Sequence, residues 1–300
     1  MQFGLSAYDI SAGELVELAQ AAEAAGFDSL WLGEHLLLPV GYSSVHPTRQ
    51  PEQERAAAIV GPATQLTDPL IALAAAAAHT RRIQLATGIY LLPLRHPLAV
   101  ARAVLTLQEV AAGRVLFGVG VGWLRDEFEA LGVPFADRAG RFEESLEILR
   151  RAWAGGAFEH HGRTYDFGPV QVTARPVRVP LVLGGNSDRA LVRAAQCADG
   201  WFASGSPSTA EAIELLARFR AAQATTARAA TVSTYVRVPV DADAGQYAEA
   251  GFTQVIFWAH ELCPPGPRRW DRLAAAAADR GIRLRPSRTR LPTLAHRASE

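Results

Sequence analysis

Residues 11–26 set the pattern for the whole chain. Ser11-Ala12-Gly13-Glu14 has the form of a capping box, and Leu15, Leu18, Ala19, Ala22 and Ala25 follow at helical spacing before Gly26. That spacing predicts an amphipathic helix closed by a glycine C-cap. Phe27-Asp28-Ser29-Leu30-Trp31-Leu32 comes next, a short apolar run of strand length, such as a parallel sheet covered on both faces produces. The alternation continues. Apolar runs near 2–6, 28–33, 82–88, 114–120, 180–184, 199–203, 231–237 and 253–258 read as strands, each followed by a helical stretch. Eight such units predict an α/β fold, a (β/α)8 TIM barrel; a doubly wound open sheet is the rival, which strand count and length disfavour. Ala22-Glu23-Ala24-Ala25-Gly26-Phe27 is echoed by Ala248-Glu249-Ala250-Gly251-Phe252, as repeated αβ units give, although an Ala-rich chain also produces such an echo by chance.

Two stretches break the rhythm, 36–68 and 156–179. Both read as long loops at the C-terminal face of the barrel, the first placed to overhang the active site. The barrel domain is assigned to residues 1–282, and the Arg- and Pro-rich residues 283–300 to a loosely held C-terminal tail.

Composition narrows the functional classes. With 49% apolar and 20% charged residues, 300 residues can bury a large core. Formal charge is zero, so there is no overall basic field to hold nucleic acid or an anionic membrane. The chain has no lysine, and its wealth of Arg and Ala fits GC-rich coding better than any chemistry. Its 2 cysteines, Cys197 and Cys263, lack disulfide-framework or metal-ligand spacing. The start of the chain lacks a basic, then apolar, leader pattern. The longest apolar run, around Leu70 to Ala78, falls far short of the roughly 20 residues that span a bilayer. A soluble cytoplasmic protein acting on a small molecule is the expectation.

Reactive residues in such barrels follow the C-terminal ends of the strands. That rule nominates Glu34 and His35 after the second strand, Thr87, Gly88 and Ile89 after the third, Gly120, Gly122 and Trp123 after the fourth, and Gly184, Gly185, Asn186 and Ser187 after the fifth. His35 could move a proton near neutral pH, with the Glu34 carboxylate as its neighbour; a hydrogen-bonded strand-end histidine fits the same residues. Gly184-Gly185-Asn186-Ser187 opens onto a helix, so its backbone N–H groups suit a phosphate; a tight turn with a plain N-cap is the other reading. Gly118-Val119-Gly120-Val121-Gly122 is not a dinucleotide fingerprint, because position 123 is Trp, but it leaves room for a flat ring. His160-His161 lies in a polar stretch with no third ligand, and no metal site is assigned.

These residues, in this order, resemble the luciferase-like family of flavin and deazaflavin oxidoreductases, in its coenzyme F420-associated branch. The resemblance runs over roughly residues 1–260. It is carried by Asp28-Ser29-Leu30-Trp31 with Glu34-His35, Thr87-Gly88 through Pro93-Leu94-Arg95-His96-Pro97, and Gly113 through Trp123 with Glu127-Phe128 and Leu131-Gly132. Gly184-Gly185-Asn186-Ser187 and Asp199-Gly200-Trp201 complete it.

The resemblance implies hydride transfer between coenzyme F420 and a small organic substrate, with FMN and monooxygenase chemistry as the alternative. A non-redox or non-catalytic cofactor-binding barrel is the reading from another class. It also implies that His35 stabilises or protonates the reaction centre with Glu34 beside it, that a cis peptide at Gly88-Ile89 backs the ring, and that the Gly184-Gly185 turn holds the cofactor phosphate. A homodimer is implied by resemblance alone. The sugar-phosphate dehydrogenases of the family carry a proton-donating Glu where this chain has Trp123. Trp123 is therefore expected to wall the substrate pocket, with Asp126 lining the same space.

Overall fold

The computed structural model describes residues 1–41, 44, 63–226 and 231–279. Most of the expected overhanging loop (42, 43 and 45–62) and the whole 283–300 tail lie outside the described residues.

The chain opens with β1 (Gln2–Ala7), α1 (Ala12–Ala25), β2 (Ser29–Leu32), α2 (Pro69–His79), β3 (Gln84–Thr87) and a short β4 (Tyr90–Leu91). It continues with α3 (Pro97–Val110), β5 (Val115–Gly120), α4 (Arg125–Ala130), α5 (Arg138–Ala154), β6 (Ala157–His161) and β7 (Asp166–Gln171). Then come β8 (Leu181–Gly184), α6 (Asp188–Cys197), β9 (Gly200–Ala203), α7 (Thr209–Ala224), β10 (Ser233–Val238), α8 (Ala244–Ala250), β11 (Gln254–Trp258), α9 (Ala259–Leu262) and α10 (Leu273–Asp279).

Eight strands pair in parallel in the order β1-β2-β3-β5-β8-β9-β10-β11, and β11 returns to β1. The sheet is thus a closed eight-stranded parallel barrel ringed by helices, as the eight apolar runs predicted. Closure leaves alternate residues of each strand pointing into the lumen. There Trp31, Ala86, Leu116, Val182, Phe202, Tyr235 and Ile256 form a plug, with the Trp31 ring 5.3 Å from Phe202 and 4.9 Å from Tyr235. The residues between them pack outward against the helices. The α1 positions Leu15, Leu18, Ala19 and Ala22 are buried there, Ser11 caps the helix at Glu14 N–H, and Gly26 ends it in the left-handed conformation.

One expectation fails. Residues 156–179 are not simply a loop: β6 and β7 form an antiparallel hairpin, with Phe158 and Phe167 edge to face at 5.8 Å. The Glu144 carboxylate of α5 accepts the Thr164 and Tyr165 N–H groups at 3.0 and 3.1 Å and pins the tip. The hairpin was hidden because β6 turns only Phe158 and His160 away from solvent, too few positions for an alternation to register. His160 and His161 each find a carboxylate, Glu144 at 3.4 Å and Asp166 at 2.6 Å, and no cluster able to hold a metal occurs among the described residues. No helix among those residues is long and apolar enough to cross a membrane.

Candidate active site

Past the C-terminal end of β2 the chain runs Gly33-Glu34-His35, and two neighbouring residues take opposite assignments. The Glu34 carboxylate accepts the Leu91 N–H at 2.7 Å and the Arg95 guanidinium at 2.5 Å, while Arg95 lies 4.3 Å over the Tyr90 ring. Burial pushes the Glu34 carboxyl up, opposed by Arg95 and the Leu91 N–H. Glu34 is thus committed to holding β4 and the start of α3 on the barrel, and the expected Glu34–His35 pair does not form.

His35 pairs instead with Glu127 of α4, Nδ1 standing 3.0 Å from Oε2. Glu127 is fully buried, and its other oxygen accepts the Leu36 N–H at 2.5 Å and the Leu37 N–H at 3.4 Å. One carboxylate therefore fixes both the ring and the backbone that carries it. A carboxylate at Nδ1 suits a ring that carries its proton there, which leaves Nε2 as the nitrogen available to a ligand. The ring is packed edge to face against Tyr8 at 6.4 Å and Trp123 at 5.8 Å. It lines a cleft at the barrel mouth with Tyr8, Gly33, Gln65 and Thr67.

The floor of the mouth is built from backbone. The Gly88–Ile89 peptide is cis, at the position the resemblance implied. The Ile89 side chain projects across the lumen, and a methyl group on Gly120 would collide with it and one on Gly184 would crowd it. The glycines are therefore spaced for Ile89 as much as for a ligand, and Ile89 becomes an apolar platform. Thr87 lies below this floor, fully buried, with its hydroxyl donating to the Gly118 carbonyl at 2.6 Å. Gly122, at φ 85°, turns the chain against Phe128 and brings Trp123 back toward His35.

At β8, the Asn186 amide and the Ser204 backbone bond reciprocally at 2.9 Å, tying the β8 and β9 loops together. Trp201 donates from its indole to the Gly185 carbonyl at 2.9 Å, and Ser187 caps α6 by accepting the Ala190 N–H. Asn186 and Ser187 thus spend their side chains on the turn itself. What this leaves for an anion is the first backbone N–H groups of α6, those of Asp188 and Arg189, which a helix start does not satisfy internally. Asp126 accepts from the Ser44 hydroxyl at 3.1 Å, so its carboxylate is engaged by Ser44.

Sequence reasoning singled out His35, Trp123 and the glycines, carried Glu127 only as part of the family resemblance with no role at the site, and missed Tyr8 and Arg237. Glu127 sits in the first turn of a helix, where an acidic residue ordinarily faces solvent and the helix dipole. Arg237 carried a legible signal, a charge inside an apolar strand, that was passed over.

Fold and mouth together define a (β/α)8 barrel whose C-terminal face carries a carboxylate-held histidine above a glycine-cleared floor. The chain belongs to the luciferase-like monooxygenase family, whose model matches residues 2–262. It is 35% identical over 191 residues to an uncharacterized protein of Mycobacterium tuberculosis, a match spanning 63% of this chain and 65% of that relative, just under two thirds of its length. It is 33% identical over 201 residues to the F420-dependent glucose-6-phosphate dehydrogenase of Beutenbergia cavernae, covering 65% of this chain and 54% of that protein. An F420-dependent secondary alcohol dehydrogenase, solved with an F420–acetone adduct, superposes with a TM-score of 0.72 over 94% of this chain and 99% of its own, at 16% identity. At that identity the likeness shows the fold.

Proposed function

We propose that this chain is an oxidoreductase that uses the deazaflavin coenzyme F420 to exchange a hydride with a small organic substrate. The observation that carries this reading is the His35–Glu127 pair beside Trp123, set over the Gly88–Ile89 floor.

The mouth fits a flat ring system. Gly33, Gly88, Gly120 and Gly184 present no side chains there, Ile89 offers an apolar face, and Trp123 stands as a wall. Gly88, Ile89, Gly120 and Gly184 would hold the ring, and the start of α6 with Gly185 its phosphate. A bound deazaflavin supplies a carbon centre that gives or takes a hydride and favours two-electron chemistry over oxygen activation. His35 Nε2 delivers or accepts the proton that accompanies that transfer. Glu127 keeps Nδ1 protonated and the ring in place, and stabilises the imidazolium when it forms. Trp123 and Tyr8 exclude water from the two flanks of His35. The Glu34–Arg95 pair acts at one remove, holding β4 against β5.

The family's monooxygenase members favour a second reading, an FMN enzyme that uses oxygen. An anaerobic absorbance assay separates the two. Bleaching of F420 with a panel of secondary alcohols, or its recovery with electron-poor alkenes and imines, supports the deazaflavin reading. Turnover that requires FMN and oxygen overturns it in favour of the second. We also infer from the resemblance that the enzyme works as a homodimer.

A further inference from the structure

Arg237 follows Tyr235 by two residues on β10 and so shares its face, the one that looks into the lumen. Its guanidinium lies 4.0 Å over the Trp258 ring and 5.3 Å from Phe202. From there it crosses to the strand opposite, where it donates to the Gly88 carbonyl at 3.3 Å. The cation therefore caps the aromatic plug and touches the cis-peptide floor on which the ring is proposed to lie.

Its pairing is poor. Arg237 is 7% exposed, Nε is buried without a hydrogen-bond partner among the described residues, and one long bond to a neutral carbonyl is its share of five donors. Burial pushes the guanidinium down to about 10, opposed by Glu261, so it remains charged at neutral pH. Glu261 lends distant charge but accepts the Val240 N–H at 3.1 Å. The carboxylates on the other side of the mouth are already committed: Glu34 to Arg95, Glu127 to His35, Asp126 to Ser44. A second buried polar atom without a partner, Ser6 Oγ, lies on β1 in register with Trp258. A buried cation left this way is costly, and the counter-charge that suits a planar guanidinium is a planar, delocalised oxyanion taken in a fork.

We propose that Arg237 is an oxyanion-binding site in the floor of the mouth, taking a carboxylate or an equivalent delocalised oxyanion. The proposal rests on reading the mouth as the active site. The oxyanion can come from the substrate, which makes the preferred substrates organic acids or their enolates, or from the pyrimidine edge of the bound ring.

The test uses the full-length chain and its Arg237→Met and Arg237→Lys variants, each checked by thermal melting. Calorimetric titrations with benzoate and with its neutral analogue benzamide form one arm, and fluorescence titrations with F420 and FMN the other. The expected result is that Arg237→Met weakens an oxyanion-bearing ligand about tenfold or more, with Arg237→Lys intermediate because it keeps charge but loses the fork. A loss confined to benzoate, with benzamide unchanged, assigns the site to the substrate. A loss confined to the cofactors assigns it to the ring edge. Unchanged affinity in both arms overturns the proposal. If Arg237→Met does not fold, Arg237→Lys carries the same comparison. Failure of the wild type to bind either cofactor overturns the redox reading, while the benzoate arm still decides Arg237.

Discussion

The two sides of the barrel mouth differ in how completely their charges are paired. On the β2 and β5 side two close charge pairs are built in: Glu34 with Arg95, and His35 with Glu127. On the β10 side Arg237 is as deeply buried as these, yet holds one neutral carbonyl at 3.3 Å. The first arrangement is preorganised: geometry is fixed before a ligand arrives, as a proton-transfer group needs. The second leaves a charge whose counterpart has to be brought in. Neighbouring residues can share a depth in the fold and differ entirely in whether the protein or a ligand completes them.

The sharpest way to break this contrast is His35→Ala. Turnover is expected to fall about 10²- to 10⁴-fold while cofactor affinity stays near wild type, read from steady-state rates beside fluorescence titrations. Equal turnover removes His35 from the chemistry. Glu34→Ala should be the largest stability loss, about 3 kcal/mol in chemical denaturation, because it leaves the Arg95 cation over Tyr90 with only Asp68 at 3.7 Å and the Leu91 N–H without its acceptor. Arg237→Met is expected to leave stability unchanged or to raise the melting temperature, since the cation it removes has no ion-pair partner among the described residues. Opposite signs for these two variants would support the contrast; a comparable loss from both would abolish it.

Glu127→Gln keeps the acceptor for Leu36 and Leu37 but removes the charge behind His35. The expected outcome is a kcat about 10- to 100-fold lower, a displaced pH profile and little change in KM. A merely structural Glu127 would instead lower the melting temperature and leave the pH profile alone. The smallest effect is predicted far from the mouth, at Glu23. Burial pushes its carboxyl up, but the N–H groups of Ile83, Arg82 and Arg81 and the Arg82 charge outweigh it, so the folded-state pKa is lowered. Its contribution is then fully present above the unfolded carboxylate pKa and lost as pH falls through the folded one. Glu23→Gln should cost about 1 kcal/mol at neutral pH after solvent screening, and nothing measurable once the carboxylate is protonated in acid, with activity untouched throughout.

The barrel was legible because each of its strands is covered on both faces and so appears as an apolar run; all eight predicted runs coincide with barrel strands. The β6–β7 hairpin was not, because a surface hairpin buries too little to impose a pattern. Within the site, residues placed by local rules could be found: His35 and the glycines stand directly after strands. Partnerships between distant elements could not. Glu127 is 92 residues from His35, and nothing in the helix that carries it distinguishes it from its exposed neighbour Glu129. Glu34 shows the converse error, since adjacency in sequence suggested a pair, whereas beyond the end of β2 the Glu34 carboxylate turns to the Leu91 N–H and Arg95 and the His35 ring to Glu127. The glycines of the floor were read as space for a ring, and their immediate occupant is Ile89.

The most direct test of the account is a tryptophan-fluorescence titration of the purified chain with oxidised F420 and, separately, with FMN. Trp123 beside His35 and Trp258 beneath Arg237 lie at the proposed ring site and report on either ligand. Saturable quenching by F420 at concentrations where FMN has no effect is the predicted result. Preference for FMN would contradict the deazaflavin assignment and move the enzyme to the oxygen-using side of its family, and binding of neither would contradict a redox role for the mouth altogether.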